Sequence, residues 1–237
     1  MYPRYMKIKD ELDKQIEQGE LHVGYKFPSE PEMANKFGVS RETFRAAIKK
    51  LEEEGKLRVQ HGVGTFVIRQ LEQIPSNLAR LQSTSEMLKI AGHQEGDLQQ
   101  SVHNAACTEE WAPFLNIQEG DPVVILERVR TANEEPVMSS FYILPRSIVG
   151  NKFEETAFGG SLFKFLEQEL NIFVKRSHTE LMVPLQTDPR VQSLMLHPNT
   201  TVLLMKQTHY DENNFPIFYA NDYFRNDVFH FWMERFR

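Results

Sequence analysis

The chain has 237 residues, with 27 Lys and Arg against 33 Asp and Glu and a formal net charge of −6. This length is sufficient for a small domain and a second domain with its own core, and the acidic balance excludes a protein that coats nucleic acid through bulk charge. A lone cysteine, Cys107, excludes an intrachain disulfide framework. With no apolar run of membrane-spanning length and no signal-peptide core, we expect a soluble cytoplasmic protein.

The charge is distributed unevenly along the chain. Residues 1–70 hold 13 basic and 11 acidic residues, a net of +2, whereas residues 71–237 hold 14 basic and 22 acidic residues, a net of −8. The N-terminal part is therefore the half suited to phosphates. An acidic second part suppresses nonspecific binding to nucleic acid, so site selection would depend on dimer geometry as well as on a basic surface.

The first two predicted helices lie within the first 38 residues. Four apolar residues at helical spacing predict a first helix that ends at Gly19: Tyr5, Ile8, Leu12 and Ile16. Ser29 and Glu32 form a capping-box pattern that begins the second helix, and Pro31 stands in its first turn. Gly38 can adopt the left-handed conformation that ends it. The apolar face of this second helix consists of Met33, Ala34 and Phe37.

A third helix follows after a tight turn. Ser40 is its predicted cap, Val39 and Phe44 are spaced as a hydrophobic staple, and Gly55 marks its end. The helix has an apolar stripe of Phe44, Ala47, Ile48 and Leu51 and a cationic stripe of Arg41, Arg45 and Lys49. Arginine in the first turn of an exposed helix can reach a phosphate or the paired acceptors of guanine, and Thr43 with the helix N–H groups can hold a phosphate.

Two short β-prone runs, 56–59 and 65–68, surround a turn with Gly62 and Gly64 and predict a hairpin. Its tip, which includes His61, can approach a sugar-phosphate backbone closely because glycine carries no side chain. Two capped helices followed by this hairpin are typical of a winged helix-turn-helix. The alternative is an ordinary helical hairpin with a solvated charged face.

Taken in their order along the chain, these motifs resemble those of the bacterial transcription regulators of the GntR type over about the first seventy residues. The resemblance implies DNA binding through the second helix start, the third helix and the wing: Ser29, Ser40, Arg41, Glu42, Thr43, Arg45, Lys49, His61, Gly62, Gly64 and Thr65. The family usually carries arginine after Pro-Ser-Glu and a basic residue between the wing glycines. This chain has Pro31 and Val63 there, so we expect a different operator from the family's usual one.

A polar stretch with Pro75 and Ser76 predicts a linker over 71–80, between a DNA-binding domain at 1–70 and a second domain at 81–237. In the second domain, a helix is predicted from Ser85 to Gly92. Further helices are predicted over 109–115, 161–170 and 188–194, with Ser161 and Asp188 as caps. The predicted strands cover 98–107, 123–132, 137–144, 174–185, 201–211 and 217–224.

The loops 133–136 and 211–216 join consecutive strand runs with turn residues, which predicts hairpins and a mostly antiparallel sheet with flanking helices, an α+β fold. The motif Gly120-Asp121-Pro122-Val123, the strand Glu127-Arg128-Val129-Arg130, the proline-bearing hairpin and the Ser-Leu-Phe helix start resemble the UTRA effector-sensing domain of HutC-type GntR regulators. This resemblance covers about residues 77–237. It implies a fold similar to that of chorismate lyase.

Strand alternation places Val124, Leu126, Arg128 and Arg130 on one face. A guanidinium on an apolar face requires a partner, either a bound anion or acidic neighbours. The UTRA resemblance implies a phosphate held by these two arginines and by hydroxyls. It gives a candidate effector set: Thr84, Ser85, Arg128, Arg130, Ser140, Ser161, Phe163 and Phe218. Ser140 and Phe218 stand where some relatives have carboxylates, and Phe163 where they have tyrosine, so we expect an anionic effector that differs from an amino-sugar phosphate.

The sequence thus predicts a homodimeric repressor that binds a roughly palindromic operator in double-stranded DNA and is controlled by a small anionic effector such as a phosphorylated sugar. Neither metal nor cofactor is expected, because the histidines lack close ligand spacing and no phosphate-cradling glycine loop is present. Two alternatives stay open. One is an enzyme with a chorismate-lyase-like domain, in which Cys107 could be a nucleophile, and the other is an architectural DNA binder without ligand response.

Overall fold

The computed structural model describes residues 2–22, 24–60, 62–68, 71, 73–194 and 200–237. These form two compact units, Met1–Leu71 and Glu72–Arg237, which we call the N-terminal unit and the C-terminal unit. Within the described ranges, every helix is too short or too polar to cross a bilayer.

The N-terminal unit contains three helices and one hairpin. The helices are α1 (Arg4–Glu17), α2 (Glu30–Lys36) and α3 (Arg41–Glu53), and the antiparallel hairpin joins β1 (Leu57–Gln60) to β2 (Gly64–Val67). The apolar stripes of the helices meet in one core with the hairpin: Ile8, Leu12, Phe27, Met33, Ala34, Phe44, Ala47, Ile48, Leu51, Leu57 and Val67. The predicted winged helix-turn-helix is therefore confirmed.

Local capping sets the ends of α2 and α3. Glu32 accepts hydrogen bonds from both the backbone N–H (2.9 Å) and the hydroxyl (2.8 Å) of Ser29, which completes the predicted capping box. The Ser40 hydroxyl accepts from the N–H of Thr43 at 3.2 Å. Gly38 follows α2 with φ +63°, a conformation that glycine adopts without strain. These contacts fix the angle at which α3 leaves the turn.

The C-terminal unit is built from eight strands and six helices among its described residues. The strands are β3 (Ile74–Asn77), β4 (Glu95–Ala106), β5 (Pro122–Ala132), β6 (Glu135–Pro145), β7 (Arg176–Met182), β8 (Val202–Tyr210), β9 (Pro216–Arg225) and β10 (Phe229–Trp232). The helices are α4 (Thr84–Ile90), α5 (Ala112–Leu115), α6 (Arg146–Val149), α7 (Lys152–Glu155), α8 (Leu162–Leu170) and α9 (Pro189–Leu194).

Six of these strands form one antiparallel sheet in the order β4-β5-β6-β9-β8-β7. One face packs on α8 through Leu126, Leu162, Leu166 and Phe218. The opposite face packs on α5 and α9, where Leu115, Leu194 and Tyr223 are buried. The α+β fold with a mostly antiparallel sheet is confirmed.

Several predicted boundaries were wrong. Residues 74–77, within the predicted linker, form β3, because Ile74 is fully buried and its strand pairs in parallel with β10, a strand that the sequence did not predict. The cap of α4 is Ser83, which accepts from the N–H of Glu86 at 3.2 Å, so Ser85 lies inside the helix instead of at its start. The predicted helix over 109–115 is shortened to α5, and α6 and α7 were not predicted.

Candidate nucleic-acid interface and effector cavity

The cationic stripe of α3 is solvent-exposed. Phe44, Ala47, Ile48 and Leu51 face the core, so the helical period turns Arg41, Arg45 and Lys49 outward. Neither Arg41 nor Lys49 forms a hydrogen bond or an ion pair with a described residue. Both are therefore free to meet phosphates or base edges.

Arg45 has protein partners. Its guanidinium contacts Glu30 of α2 at 2.7 Å and Glu42 of α3 at 3.4 Å, and 56% of its side chain is exposed. Exposed ion pairs of this kind contribute little to stability, so they can be exchanged for a phosphate. Glu30 thus holds the arginine beside the exposed surface of α3 without occupying all its donors.

The predicted serine and threonine contacts act first as caps. The Ser40 and Thr43 hydroxyls lie 2.8 Å apart, and the Ser29 hydroxyl donates to Glu32. Their exposed position at the starts of α2 and α3 still places helix N–H groups next to the cationic stripe. Glu42 is exposed in the first turn of α3.

The wing turn requires its glycines. Gly62 has φ +76° and Gly64 φ +144°, and a Cβ at Gly64 would lie 2.8 Å from Cε of Lys26. Lys26 crosses the hairpin here, with its ammonium 5.9 Å from the ring centre of Phe66. The exposed tip residue is Val63, and Thr65 is half-buried. His61 lies outside the described residues.

The C-terminal unit encloses a cavity of about 460 Å³ between one face of the sheet and the segment 76–85. Seven of the eight predicted effector residues lie on its wall: Thr84, Ser85, Arg128, Arg130, Ser161, Phe163 and Phe218. Ser140, the eighth, is buried on the same sheet face but is not part of the wall. The predicted set is thus brought together with that one exception.

Arg128 is held at the cavity wall by fixed partners. It is 1% exposed, and its Nε and Nη2 donate to the two carboxylate oxygens of Asp97 at 2.9 and 2.5 Å. Nη1 donates to the carbonyl of Gly160 at 2.6 Å. The guanidinium also lies 4.9 Å from the ring centre of Phe158. A bidentate carboxylate pair orients this arginine before any ligand binds.

Arg130 is also buried, but fewer of its donors are used. Its Nη2 donates to the Ser85 hydroxyl at 3.1 Å and to the Glu95 carboxylate, and its Nη1 lies 3.4 Å from the carbonyl of Gly160. Its Nε is buried without a hydrogen-bond partner in the described structure. Burial and the neighbouring Arg128 lower the pKa of this guanidinium. This Nε lies 3.5 Å from Oδ1 of Asp97, an ion-pair contact without hydrogen-bond geometry, so an anion could displace Asp97 from it more easily than from Arg128.

The acidic partners were not predicted. Asp97 and Glu95 lie on the edge strand β4, which was predicted only from Leu98 onward, and their side chains are 24% and 41% exposed. A signal was available in the sequence. Glu95 and Asp97 are two residues apart, as on one face of a strand, and they come just before a predicted strand that could pair with the strand of Arg128 and Arg130. The structure thus shows the paired arrangement that was the alternative to a bound anion, with both arginines still facing the cavity.

An aromatic and polar wall completes the cavity. The ring of His209 stacks on Phe218 at 4.1 Å and meets Phe163 edge to face at 5.6 Å. Burial lowers the pKa of His209 to about 3, so this imidazole is neutral at physiological pH. Asp222 lies on the same wall, and burial raises its pKa to about 6. Neither His209 nor Asp222 was predicted from the sequence.

Comparison with known proteins assigns both units. Residues 4–67 match the bacterial regulatory proteins of the gntR family, and residues 98–230 match the UTRA domain. The chain belongs to the GntR family and carries a UTRA domain. This is the HutC-type architecture, so the resemblance seen in the sequence is confirmed.

Relatives of this GntR regulator match along nearly its whole length. The HTH-type transcriptional repressor NagR of Bacillus subtilis is 32% identical over 236 residues, which cover 98% of this chain and 96% of NagR. The probable transcriptional regulator PhnF of Escherichia coli is 29% identical, with 98% of this chain and 96% of PhnF covered. The crystal structure of PhnF from Mycobacterium smegmatis has a TM-score of 0.62 at 25% identity and covers 96% of this chain and 98% of its own.

These matches decide between the function classes that the sequence left open. The families and the named relatives are transcriptional regulators, so this GntR protein is a DNA-binding transcriptional regulator and not an enzyme. Its gntR-type unit binds operator DNA, and its UTRA domain binds a small-molecule effector.

Replacing Arg41 by Ala should weaken DNA binding, because the protein then neutralises one phosphate fewer and its binding releases about one counterion fewer. We expect the slope of log affinity against log salt to fall by about 1 on a mixed-sequence duplex. Fluorescence anisotropy over a salt series measures this slope. Lys89→Ala, at an exposed lysine of the C-terminal unit, is the control for net charge, and equal slopes for the two variants would remove Arg41 from the interface.

Replacing Asp97 by Asn should tighten the binding of inorganic phosphate. The amide keeps the shape of the contact to Arg128 but removes a negative charge that an incoming anion must face. We expect a severalfold gain, on the order of 1 kcal/mol for a partly screened charge. Isothermal titration measures it, with Glu110→Gln on the opposite sheet face as control. A loss of phosphate affinity would show instead that Asp97 mainly positions Arg128.

Proposed function

We propose that this chain is a homodimeric repressor that releases a roughly palindromic operator when a small anion, such as a phosphorylated sugar, occupies the cavity of its UTRA domain. The observation that supports this most directly is the pair of buried arginines on the cavity wall, one of which has a buried Nε that pairs with Asp97 at 3.5 Å but donates no hydrogen bond among the described residues. The relative NagR is named a repressor.

The charge at this end of the cavity favours an anion. A buried guanidinium cannot lose its proton, so its charge must be compensated by nearby negative groups. Asp97 and Glu95 supply that compensation, but both carboxylates are partly exposed and can turn toward solvent. A phosphate could then share Arg130 and Arg128 with them and accept from the Ser85 hydroxyl.

The opposite end of the cavity argues for an effector other than an amino-sugar phosphate. Phe218 and Phe163 present aromatic rings at positions where some relatives have a carboxylate and a tyrosine, respectively. Ser140, at the second carboxylate position, does not line the cavity. An aromatic wall favours apolar or ring-face contacts over hydrogen bonds. The polar groups that remain here are His209, Gln207 and Asp222.

The chain connection suggests how occupancy reaches the DNA-binding unit. Residues 76–83 line the cavity and follow within a few residues of the boundary between the units at Leu71. Ser85 closely follows this segment on the cavity wall, so an anion bound by Arg130 and Ser85 would shift it. Its movement would change the position from which the chain leads into the DNA-binding unit, and with it the spacing of two dimeric wings on the operator.

Replacing Arg130 by Ala should abolish stabilisation by anions. A ligand that binds only the folded state raises the melting temperature with its concentration. We expect inorganic phosphate and sugar phosphates to raise it in the natural protein and to lose this effect in the variant. A thermal-shift titration measures it. Arg190→Ala is the matched control, because Arg190 pairs with Glu127 and does not line the cavity, and an unchanged shift in Arg130→Ala would contradict the anion site.

Effector and DNA should weaken each other by the same factor, because coupling between two sites is reciprocal at equilibrium. For a typical coupling of about 1–3 kcal/mol, the effector affinity should fall roughly 5- to 150-fold when operator DNA is bound. Titrating the effector found by the thermal-shift screen with and without saturating operator measures the factor. Equal affinities would exclude effector control of DNA binding.

A further inference from the structure

The cavity contains a second polar centre on the strands beside the arginines. Strand register aligns Arg128 with Ser140 and Ser140 with Asp222, across β5, β6 and β9. Neighbouring strands are about 4.8 Å apart, so the backbones of Arg128 and Asp222 lie ~10 Å apart on the same sheet face. This separation suits a small metabolite that is bound at both ends.

Asp222 is buried, with only 4% of the residue exposed, and it lines the cavity. One carboxylate oxygen, Oδ2, accepts from the side-chain amide of Gln207 at 2.8 Å. Gln207 is oriented in turn by the Thr179 hydroxyl, which donates to its Oε1 at 3.0 Å. These contacts therefore fix Oδ2 as the oxygen that accepts from Gln207 and leave Oδ1 for another donor.

The other oxygen, Oδ1, is buried and has no hydrogen bond to any residue that the structure describes. The hydroxyls of Ser140 and Tyr142 lie near enough to lower the pKa of Asp222, but burial has the larger effect and raises it. Nδ1 of His209, on the same wall, is also buried without such a partner. The Ser140 hydroxyl, opposite Asp222 in the strand register, is likewise buried without such a partner and can supply one donor to Oδ1. A carboxylate oxygen can accept more than one hydrogen bond, so Oδ1 has room for a further donor from a ligand in the cavity.

We propose that Oδ1 of Asp222 accepts a hydrogen bond from a hydroxyl or amine of the effector, so that the effector is an anion with a donor group at its far end. This inference rests on the proposed anion site at Arg128 and Arg130. Asp222 takes the recognition role that Ser140 and Phe218 do not fill, since it lines the cavity on the same strand as Phe218. The effector's donor would bond to Oδ1, because Oδ2 already accepts a hydrogen bond from Gln207.

A series of alkyl phosphates of increasing length tests this, with each length ending in methyl, hydroxyl or ammonium. Isothermal titration with the full chain should show that donor-ended compounds of the right length bind about tenfold tighter than the methyl-ended ones, the gain expected for a hydrogen bond to a charged group. The hydroxyl and ammonium series separate the two kinds of donor. Equal affinities of all three endings at every length would overturn the proposal.

Asp222→Asn identifies the acceptor. Gln207 should keep the amide oxygen of the new side chain as its partner, which turns the NH₂ group toward the cavity and replaces an acceptor by a donor. We expect the preference for the ammonium ending to disappear while inorganic phosphate binds as before, and Glu110→Gln should change neither. A preference that persists in Asp222→Asn would assign the acceptor role to another group of the protein.

Two further arms keep the outcomes separate. If methyl-ended phosphates bind, lose binding in Arg130→Ala, and show no preference over donor-ended ones, the anion site stands and the role of Asp222 fails. If Asp222→Asn does not fold, infrared difference spectra of the natural protein decide. Donor-ended compounds should shift the band of a buried carboxylate and methyl-ended compounds should not, and identical spectra would contradict the contact.

Discussion

The C-terminal unit is organised around two guanidinium groups that it buries on one face of a sheet. A buried charge is tolerated only with close partners, since an uncompensated one is strongly destabilising. Asp97 and Glu95 are those partners, and both come from the edge strand β4. The edge strand, its β-bulge between Asp97 and Gln99, and the carbonyl of Gly160 together determine where Arg128 and Arg130 point. Most of the electrostatics of the cavity follow from this requirement.

The N-terminal unit could be predicted from its sequence because its determinants are local. The hydroxyls of Ser29 and Ser40 bond three residues ahead, and the left-handed conformation of Gly38 is set by its missing Cβ. The apolar stripe of α3 then leaves Arg41 and Lys49 outside by helical period alone. Such signals act within one or two turns of chain, so a single sequence contains them.

Cavity residues could be predicted only where the alternation of side chains along one strand was enough to place them on the cavity face. Alternation placed Arg128 and Arg130 correctly, and the same alternation continued from Phe218 leads to Asp222 on the same face. The pairing of Asp97 with Arg128 depends on a β-bulge, and that of β3 with β10 joins segments far apart in the chain. The pairing of β3 with β10 leaves no local pattern, which is why residues 74–77 were mistaken for a linker.

A ligand shifts a conformational equilibrium only by as much as its affinity differs between the two states. Arg128, Arg130 and Asp222 lie on paired strands of one sheet, so their spacing should change little between states. The segment 76–83 is held differently, since among the described strands β3 pairs with the short β10 alone and α4 is only 7 residues long. We therefore expect the differential affinity for the effector to come from the contacts that this segment makes, and the sheet to supply the binding energy common to both states.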